Sequence, residues 1–571
     1  MERGLLQPGS DELRHAWAQI RPLLGLALAF SCAVNLLMLT GPIFMLQIYD
    51  RVLGSGSVET LSVLVLLVVF LFAAMAIIDM SRHRLLSRAA LRFQSTLEGR
   101  MFRAGLSGAA GPAGNDAITP LDSIHRLLGG PAFSAIFDLL WTPLFVLILF
   151  LFDPLLGMIA VIGGAILVGA ALLNQSSSSA PLQSADQARR SARQIAGRFQ
   201  ISGDLVTALG LAPNSLARWQ EARGRAADHA LCASDRIQAF GAFTRSVRLL
   251  LQSIILAAGA YLVIREELSA GAMIASSILL GRALSPVEQL AGHWPHVQAG
   301  RDGWRSAARL LAAAPPPAQV MSLPRPRALL ELTAASICAP GMSQPLLRDI
   351  SLTVGPGKVL GLIGAAGSGK SSLARAICGA WPLANGTIRL GGAALDQYRP
   401  DQLAQYIGYL PQNAALYPGT VAENIARLAA DPDPALVIEA ARAAGAHRAI
   451  LDLPQGYDTV VGDNAAGLSG GQMQLVALAR AFYGQPALVV LDEPDTHLDA
   501  EGGLALMEAI RGARARSLAV VIIAHRRAVL QECDQLIHIA GGRICAAGPR
   551  GAVLDALGGR RSAPSFAGAG A

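Results

Sequence analysis

Residues 364–371 have the composition and spacing of a segment that holds phosphate groups. The phosphate-loop pattern G-x-x-x-x-G-K-S is matched by Gly364, Ala365, Ala366, Gly367, Ser368, Gly369, Lys370 and Ser371. Glycines let backbone N–H groups curl around phosphate oxygens, and a following helix adds a favourable dipole. We expect Lys370 to reach the β- and γ-phosphates of ATP and Ser371 to ligate Mg²⁺. Phosphate contacts are predicted to extend to Ser372.

A chance glycine-rich turn is the alternative interpretation of this loop. A predicted strand over residues 359–363 precedes it, and a predicted helix over residues 372–378 follows it. The mechanism of phosphate binding requires that strand–loop–helix order, so the context favours an ATP site.

Two adjacent acids, Asp492 and Glu493, follow the apolar run at residues 488–491. Such a run is typical of a strand buried in a parallel sheet, where ligands bind beyond the carboxyl end. Asp492 suits the ligand shell of Mg²⁺, and Glu493 suits the base that polarises the attacking water. A solvated strand end is the alternative, but the position of the pair downstream of the phosphate loop favours catalysis.

A second candidate anion site reads Leu-Ser-Gly-Gly-Gln at residues 468–472 and precedes a predicted helix over residues 473–483. Glycines at a helix start expose backbone N–H groups to an anion. One ATP does not require two phosphate sites, so we expect this segment to cap the nucleotide of a second copy in a head-to-tail dimer. An ordinary serine N-cap is the alternative. The contact residues would be Ser469, Gly470, Gly471 and Gln472.

The elements that position these residues belong to a chain with an excess of apolar residues. Of its 571 residues, 52% are hydrophobic and 15% are charged, whereas soluble proteins carry roughly 25% charged residues. The mean hydropathy of +0.43 also indicates a membrane-embedded part. The net charge of +7 comes mainly from arginines between apolar runs, which favours a membrane over nucleic acid as the contact surface.

Six apolar runs are candidate membrane spans, at residues 23–46, 61–78, 133–152, 155–173, 249–264 and 270–284. The connections after the second and fourth runs are long and rich in arginine, while the others are short and poor in it. The positive-inside rule therefore places both termini and these two loops in the cytoplasm. The two loops are predicted to be helical, so that the spans extend beyond the bilayer.

The composition changes after residue 289. Proline-rich segments at residues 315–317 and 324–326 indicate a linker. Short β-rich runs then alternate with helical stretches, as in a soluble α/β domain. We predict a short cytoplasmic N-terminus over residues 1–20, a transmembrane domain over 21–314, a linker over 315–327, an ATP-binding domain over 328–557 and a disordered tail over 558–571.

The order of the motifs resembles that of the ATP-binding-cassette family. A phosphate loop, a glutamine in a loop, Leu-Ser-Gly-Gly-Gln, the Asp-Glu pair and a late histidine follow one another along the chain. The resemblance implies that Gln412 contacts Mg²⁺ or water, that Asp499 lies at a dimer seam and that His525 contacts the γ-phosphate. The implied catalytic residues are Glu493, His525 and Lys370, and the implied magnesium ligands are Ser371, Gln412 and Asp492.

The membrane half resembles the type I secretion ABC transporters, in their protease/lipase-exporter subgroup. Residues 38–53, 137–143 and 274–289 carry this resemblance. It implies an α-helical transmembrane bundle of about six spans fused to an α/β P-loop ATP-binding-cassette domain. It further implies an ATP-hydrolysing half-transporter that forms a homodimer in the bacterial inner membrane, with ATP and Mg²⁺ as cofactors.

The same resemblance implies the partners of the chain. They are a membrane-fusion adaptor, an outer-membrane channel and a secreted, unfolded protein with a C-terminal signal, and nucleic acid is not among them. Residues 1–20 are too few for an N-terminal peptidase domain, so we expect none. An exporter of lipid or small molecules is the alternative function, and a soluble cassette ATPase acting on DNA or ribosomes is opposed by the apolar runs.

A few residues depart from the cassette pattern or stand out in the spans. Ala339 occupies a place where many cassettes stack an aromatic residue on adenine, which predicts that this stacking is lost. Met473 and Leu475 occupy places where basic residues are usual. Asp138 and Arg282 lie in candidate spans, where ionisable groups are costly. Two interpretations are possible for these residues: they line a water-filled cavity, or they form an ion pair within the helix bundle.

Overall fold

The computed structural model describes residues 7–106, 117–201, 203–314, 321–340, 342, 344–462 and 467–559. Contacts within the chain divide it into two units, Met1–Pro315 and Pro316–Ala571. The described part of the first unit contains helices and connecting turns, whereas the second combines helices with β-sheets.

Long helices form the first unit. Their bounds are α1 Gln7–Leu37, α2 Thr40–Gln47, α3 Leu53–Ser55, α4 Val58–Leu106, α5 Thr119–Leu128, α6 Pro131–Leu139, α7 Thr142–Phe152, α8 Pro154–Ile201, α9 Gly203–Ala208, α10 Ala212–Ile264, α11 Ala270–Gly292 and α12 Trp294–Ala313, with a π-helical turn at Ile48–Val52. The helices α4, α8 and α10 contain 49, 48 and 53 residues. At 1.5 Å per residue each is about 70–80 Å long, more than twice the hydrocarbon thickness of a bilayer. The predicted helical extension of the spans is therefore present.

Membrane-spanning helices account for the apolar runs. Within the described ranges, five helical stretches are long and apolar enough to cross a membrane: Gly9–Ser55, Val58–Leu106, Pro154–Gln200, Ala212–Ile264 and Ala270–Gly292. A sixth span requires α6 and α7 together, which are bent by 42° relative to each other. The sequence predicted one continuous run here. The bend arises because Pro143, in the first turn of α7, has no N–H to continue the α6 ladder.

Asp138 of α6 lies in a buried polar cluster that joins three helices. Its Oδ1 accepts a hydrogen bond from Arg82 of α4 at 2.6 Å, and from Ser31 and Asn35 of α1 at 2.9 Å each. Arg82 and Asn35 are 4% and 2% exposed. Of the two open interpretations, Asp138 thus forms an ion pair within the bundle. Its partner is Arg82, while Arg282 is exposed.

Replacing Asp138 with asparagine is expected to destabilise the membrane unit by about 1–3 kcal/mol, because Arg82, Ser31 and Asn35 then lose the charged acceptor of a buried hydrogen-bond cluster. Asp79 remains 2.7 Å from Arg82, with its side chain 40% exposed, and keeps part of the charge compensation. Thermal unfolding of the purified protein in detergent measures the loss. The matched control combines Asp138→Leu, Asp79→Leu and Arg82→Met, which removes all three charges of the cluster and should cost less. An Asp138→Asn variant that unfolds at the wild-type temperature would contradict this account.

The described residues of the second unit form twelve strands. They are β1 Leu330–Cys338, β2 Pro345–Val354, β3 Val359–Ile363, β4 Leu383–Leu390, β5 Ala393–Ala394, β6 Ile407–Leu410, β7 Gly419–Thr420, β8 Val460–Val461, β9 Leu488–Asp492, β10 Ala519–Ile523, β11 Gln535–Ala540 and β12 Arg543–Pro549. A six-stranded sheet has the order β12-β11-β3-β10-β9-β6 and is parallel from β11 to β6. An antiparallel sheet has the order β2-β1-β4-β5, and β7 pairs with β8.

Helices cover the central parallel strands, whose residues in β9 and β10 are all buried. The described helices of this unit are α13 Lys370–Ile377, α14 Pro400–Tyr406, α15 Val421–Ile425, α16 Pro434–Ala443, α17 His447–Leu451, α18 Gly470–Phe482, α19 Ala500–Ala515, α20 Arg527–Gln531 and α21 Arg550–Gly559, with 3₁₀ turns at Leu395–Gln397 and Gly456–Asp458. The helix α18 begins three residues before the predicted start because Ser469 caps it. The helix α21 reaches Gly559, and the rest of the predicted tail lies outside the described residues.

Candidate ATP site

The strand order of the parallel sheet brings four motifs to one edge. The neighbouring strands β3, β10, β9 and β6 are parallel, so their carboxyl ends lie side by side. The phosphate loop follows β3, His525 follows β10, Glu493 follows β9 and Gln412 follows β6. Ligands bind at this edge of open parallel sheets. Residues from four distant parts of the sequence are thereby gathered at a single place.

The phosphate loop requires glycine at two positions for steric reasons. Gly369 has φ +99°, and a Cβ there would lie 2.7 Å from a methyl carbon of Leu347. A Cβ on Gly364 would lie 2.3 Å from the carbonyl oxygen of Ile539. The tight path of the loop thus depends on residues without side chains.

The loop side chains fit a bound anion. The Nζ of Lys370 donates to the carbonyl oxygens of Gly364 and Ala365, at 2.9 Å each, and the residue is 6% exposed. The Oγ of Ser368 is buried without a hydrogen-bond partner among the described residues. A buried ammonium that faces only carbonyl oxygens, beside an unpaired hydroxyl, matches the donors that phosphate oxygens need.

Ser371 and Asp492 form a pair of oxygen donors that fits Mg²⁺. The Oγ of Ser371 donates to Oδ1 of Asp492 at 3.1 Å, while Oδ2 of this fully buried carboxylate has no partner among the described residues. Burial raises the pKa of Asp492 above its usual range, and the hydrogen bond from Ser371 partly opposes that shift. A cation beside Oδ2 would favour the ionised carboxylate. Mg²⁺ is commonly held by one or two carboxylates together with substrate phosphates.

Glu493 is held between two polar side chains from neighbouring strand ends. Its Oε2 accepts a hydrogen bond from Nε2 of Gln412 at 2.9 Å, and its Oε1 lies 3.4 Å from Nε2 of His525. Its own N–H donates to the carbonyl oxygen of Ile523 at 2.9 Å. Glu493 has φ +50°, which is costly for a residue with a side chain and is found mainly where the surrounding structure enforces it.

Ser469 and Asp499 are helix caps in the structure. The Oγ of Ser469 accepts from the N–H of Gln472 at 3.2 Å, and the Gln472 side chain accepts from the N–H of Ser469 at 2.9 Å. The Oδ1 of Asp499 accepts from the N–H of Gly502 at 2.8 Å. Each of these capping contacts joins residues three positions apart in the sequence. The N-terminal end of α18 is the kind of helix terminus at which backbone N–H groups can bind an anion. The role of this terminus toward a partner's nucleotide stays a prediction.

Comparison with known proteins agrees with the fold and with the motif order. The family described as ABC transporter matches residues 347–496. The type I secretion system ATP-binding protein PrsD of Rhizobium meliloti (strain 1021) is 42% identical over 528 residues, which cover 92% of this chain and 91% of PrsD. The chain belongs to the type I secretion ABC transporter family. It is therefore a multi-pass membrane protein that binds and hydrolyses ATP to drive export, as the sequence predicted.

Two further known proteins match this type I secretion ABC transporter over most of its length. The cyclolysin secretion/processing ATP-binding protein CyaB of Bordetella pertussis (strain Tohama I) is 28% identical over 552 residues, covering 94% of this chain and 76% of CyaB. A bacterial Atm1-family ABC exporter solved with ATP bound has a TM-score of 0.80 at 20% identity, and the match covers 96% of this chain and 99% of that one. This likeness confirms the predicted fold class.

Two features of the helix α18 differ from the usual cassette pattern or were not predicted from the sequence. Met473 and Leu475 are half-buried and pack against the core of the cassette unit, which explains apolar residues at those places. Gln474 between them is fully buried. Its spacing from the buried residues Ala477, Leu478 and Ala481 is that of one helix face, and this periodicity is the signal that could have identified it.

Proposed function

We propose that the transporter is a homodimer in the bacterial inner membrane that exports an unfolded protein carrying a C-terminal signal. The observation that supports protein export is the 42% identity to PrsD across nearly the whole of both chains. The name of CyaB likewise refers to the secretion of a protein. The apolar bundle would hold the export path, and the cassette would supply the energy.

The side chains of the ATP site have different roles in hydrolysis. Lys370 and Ser368 bind the phosphate oxygens. Ser371 and Asp492 would hold Mg²⁺, which when bound would supply positive charge beside the phosphoryl group. Glu493 accepts a proton from the attacking water. The water oxygen forms a bond to the γ-phosphorus, and the bond between the γ-phosphorus and the bridging oxygen of the β-phosphate breaks.

The residues that flank Glu493 complete this assignment. Gln412 donates to Oε2 of Glu493, which leaves the other carboxylate oxygen available to the water. His525 lies 3.4 Å from that oxygen and would contact the γ-phosphate, as the family resemblance implies. Gln412 would also contribute to the surroundings of Mg²⁺, as the family resemblance implies.

The composite sites explain why two copies are needed. Ser469, Gly470, Gly471 and Gln472 would cap the nucleotide held by the phosphate loop of the partner, and Asp499 would lie at the seam. The arginine-rich loops support a cytoplasmic position for both termini and for the cassette. A membrane-fusion adaptor and an outer-membrane channel would continue the path to the outside.

Secretion by the complete system tests this function. The transporter, an adaptor, an outer-membrane channel and a candidate cargo are co-expressed, and cargo in the medium is measured. We expect export of the full-length cargo and none after removal of its C-terminal segment. The matched control is the same system with Glu493→Gln, which assembles without ATP turnover and should retain the cargo inside the cell. Export of the truncated cargo, or export without the adaptor, would contradict the proposal and favour lipid or small molecules as the cargo.

A further inference from the structure

A buried amide in α18 is not accounted for by the ATP site. Gln474 has no exposed surface. Its Nε2 donates to the carbonyl oxygen of Pro494 at 3.1 Å, and its Oε1 is buried without a hydrogen-bond partner among the described residues. A buried amide oxygen without a partner costs free energy that an apolar side chain of similar size avoids. Packing alone therefore does not explain a glutamine at this position.

Two other polar side chains in the described part of the cassette unit are equally buried, and each has an explanation. The Nδ2 of Asn424 donates to the carbonyl oxygens of Tyr417 and Thr420 at 2.9 and 3.0 Å, and its Oδ1 accepts from the N–H of Tyr417 at 2.9 Å. Asp492 has one unpaired oxygen, which fits a magnesium ligand. Gln474 is the one of these three whose unpaired atom has no ligand to explain it.

The carbonyl held by Gln474 belongs to the residue directly after Glu493. Glu493 adopts φ +50°, and a following proline further disfavours helical conformations at the residue before it. This conformation therefore depends on outside contacts to hold it. The ring of Pro494 fixes its own φ, so few free rotations separate the carbonyl of Pro494 from the backbone of Glu493.

The loop after Glu493 also packs on the first turn of α18. A Cβ on Gly471 would lie 3.3 Å from the carbonyl oxygen of His497, and a Cβ on Gly470 would lie 3.8 Å from the Cβ of His497. Gln474 holds the same loop one turn further along the helix. The loop is thus seated against α18 at two successive turns.

We propose that Gln474 is a positioning residue for ATP hydrolysis. Its hydrogen bond to Pro494 holds Glu493 in the backbone conformation that places the carboxylate between Gln412 and His525. The inference rests on the proposed role of Glu493 as the base. In the proposed dimer, α18 caps the nucleotide of the partner, so Gln474 also ties Glu493 of one site to the helix that closes the other.

Kinetics of Gln474→Met in the purified full-length protein test this role. Methionine fills a similar space without a hydrogen-bond donor, so Glu493 is expected to lose its alignment. We expect kcat for ATP hydrolysis to fall about tenfold or more while KM for ATP stays within about twofold and the unfolding temperature is not lowered. Gln474→Leu should behave in the same way. Leu475→Met, on the same helix, is the matched control and should leave kcat and KM unchanged.

Two outcomes would overturn the positioning role. One is a kcat for Gln474→Met within about twofold of the wild type. The other is a loss of kcat in both variants that is accompanied by a lower unfolding temperature, since a damaged fold then explains the loss. Failure of the proposed base is distinguished by Glu493→Gln. Normal ATP turnover by the Glu493→Gln variant would reject Glu493 as the base. If Glu493→Gln is inactive and Gln474→Met turns over ATP normally, only the positioning role of Gln474 is rejected.

Discussion

Glu493→Gln should lower the turnover of ATP by about 100-fold or more while ATP still binds. The amide keeps the size of the carboxylate, so it can occupy the place between Gln412 and His525. It cannot accept the proton of the attacking water, because a neutral amide is a very weak base. The loss is therefore expected in kcat, with the affinity for ATP retained. Hydrolysis and ATP binding are measured on the same purified preparation in detergent.

Glu501→Gln is the matched control for this experiment. Glu501 is an exposed glutamate in the first turn of α19, and none of the contacts described at the ATP site involves it. The same change of a carboxylate to an amide at position 501 should leave the turnover of ATP unaltered. Hydrolysis by Glu493→Gln at the wild-type rate would remove Glu493 from the role of the base.

Mixed dimers should regain ATP hydrolysis when one chain carries Lys370→Ala and the other carries Ser469→Arg. Each homodimer has the same lesion in both sites, and we expect its rate of ATP hydrolysis to be lower than that of the wild type by about 100-fold or more. In a head-to-tail dimer, one site of the mixed pair has both lesions and the other has neither. The mixed dimer, purified through two different affinity tags, should therefore hydrolyse ATP well above either homodimer.

The matched control pairs a wild-type chain with one that carries both Lys370→Ala and Ser469→Arg. This dimer contains the same two substitutions, but in the shared arrangement each of its sites is damaged once, and it should be inactive. Sites confined to one chain predict the reverse, because the wild-type chain would then keep an intact site. Activity in this control combined with inactivity of the first mixed dimer would rule out the head-to-tail arrangement.

The sequence was sufficient to identify features that depend on near neighbours in the chain. The phosphate loop between β3 and α13 was predictable because glycine spacing and β-rich runs are local patterns. The membrane-spanning helices were predictable because a bilayer crossing demands a long apolar run. The order of the motifs was sufficient to indicate the family, which PrsD then established.

Tertiary structure decided which distant residues meet. The order β3-β10-β9-β6 sets His525 and Gln412 on opposite sides of Glu493, and strand order depends on pairing between remote segments. The partner of Asp138 is Arg82, because the packing of α1, α4 and α6 selects one cation among several. The burial of Gln474 and its contact with Pro494 likewise follow from how α18 packs on the sheet. Local patterns report the conformations that neighbouring residues allow, whereas ion pairs, strand order and orphaned polar atoms arise only when segments far apart in the chain pack together.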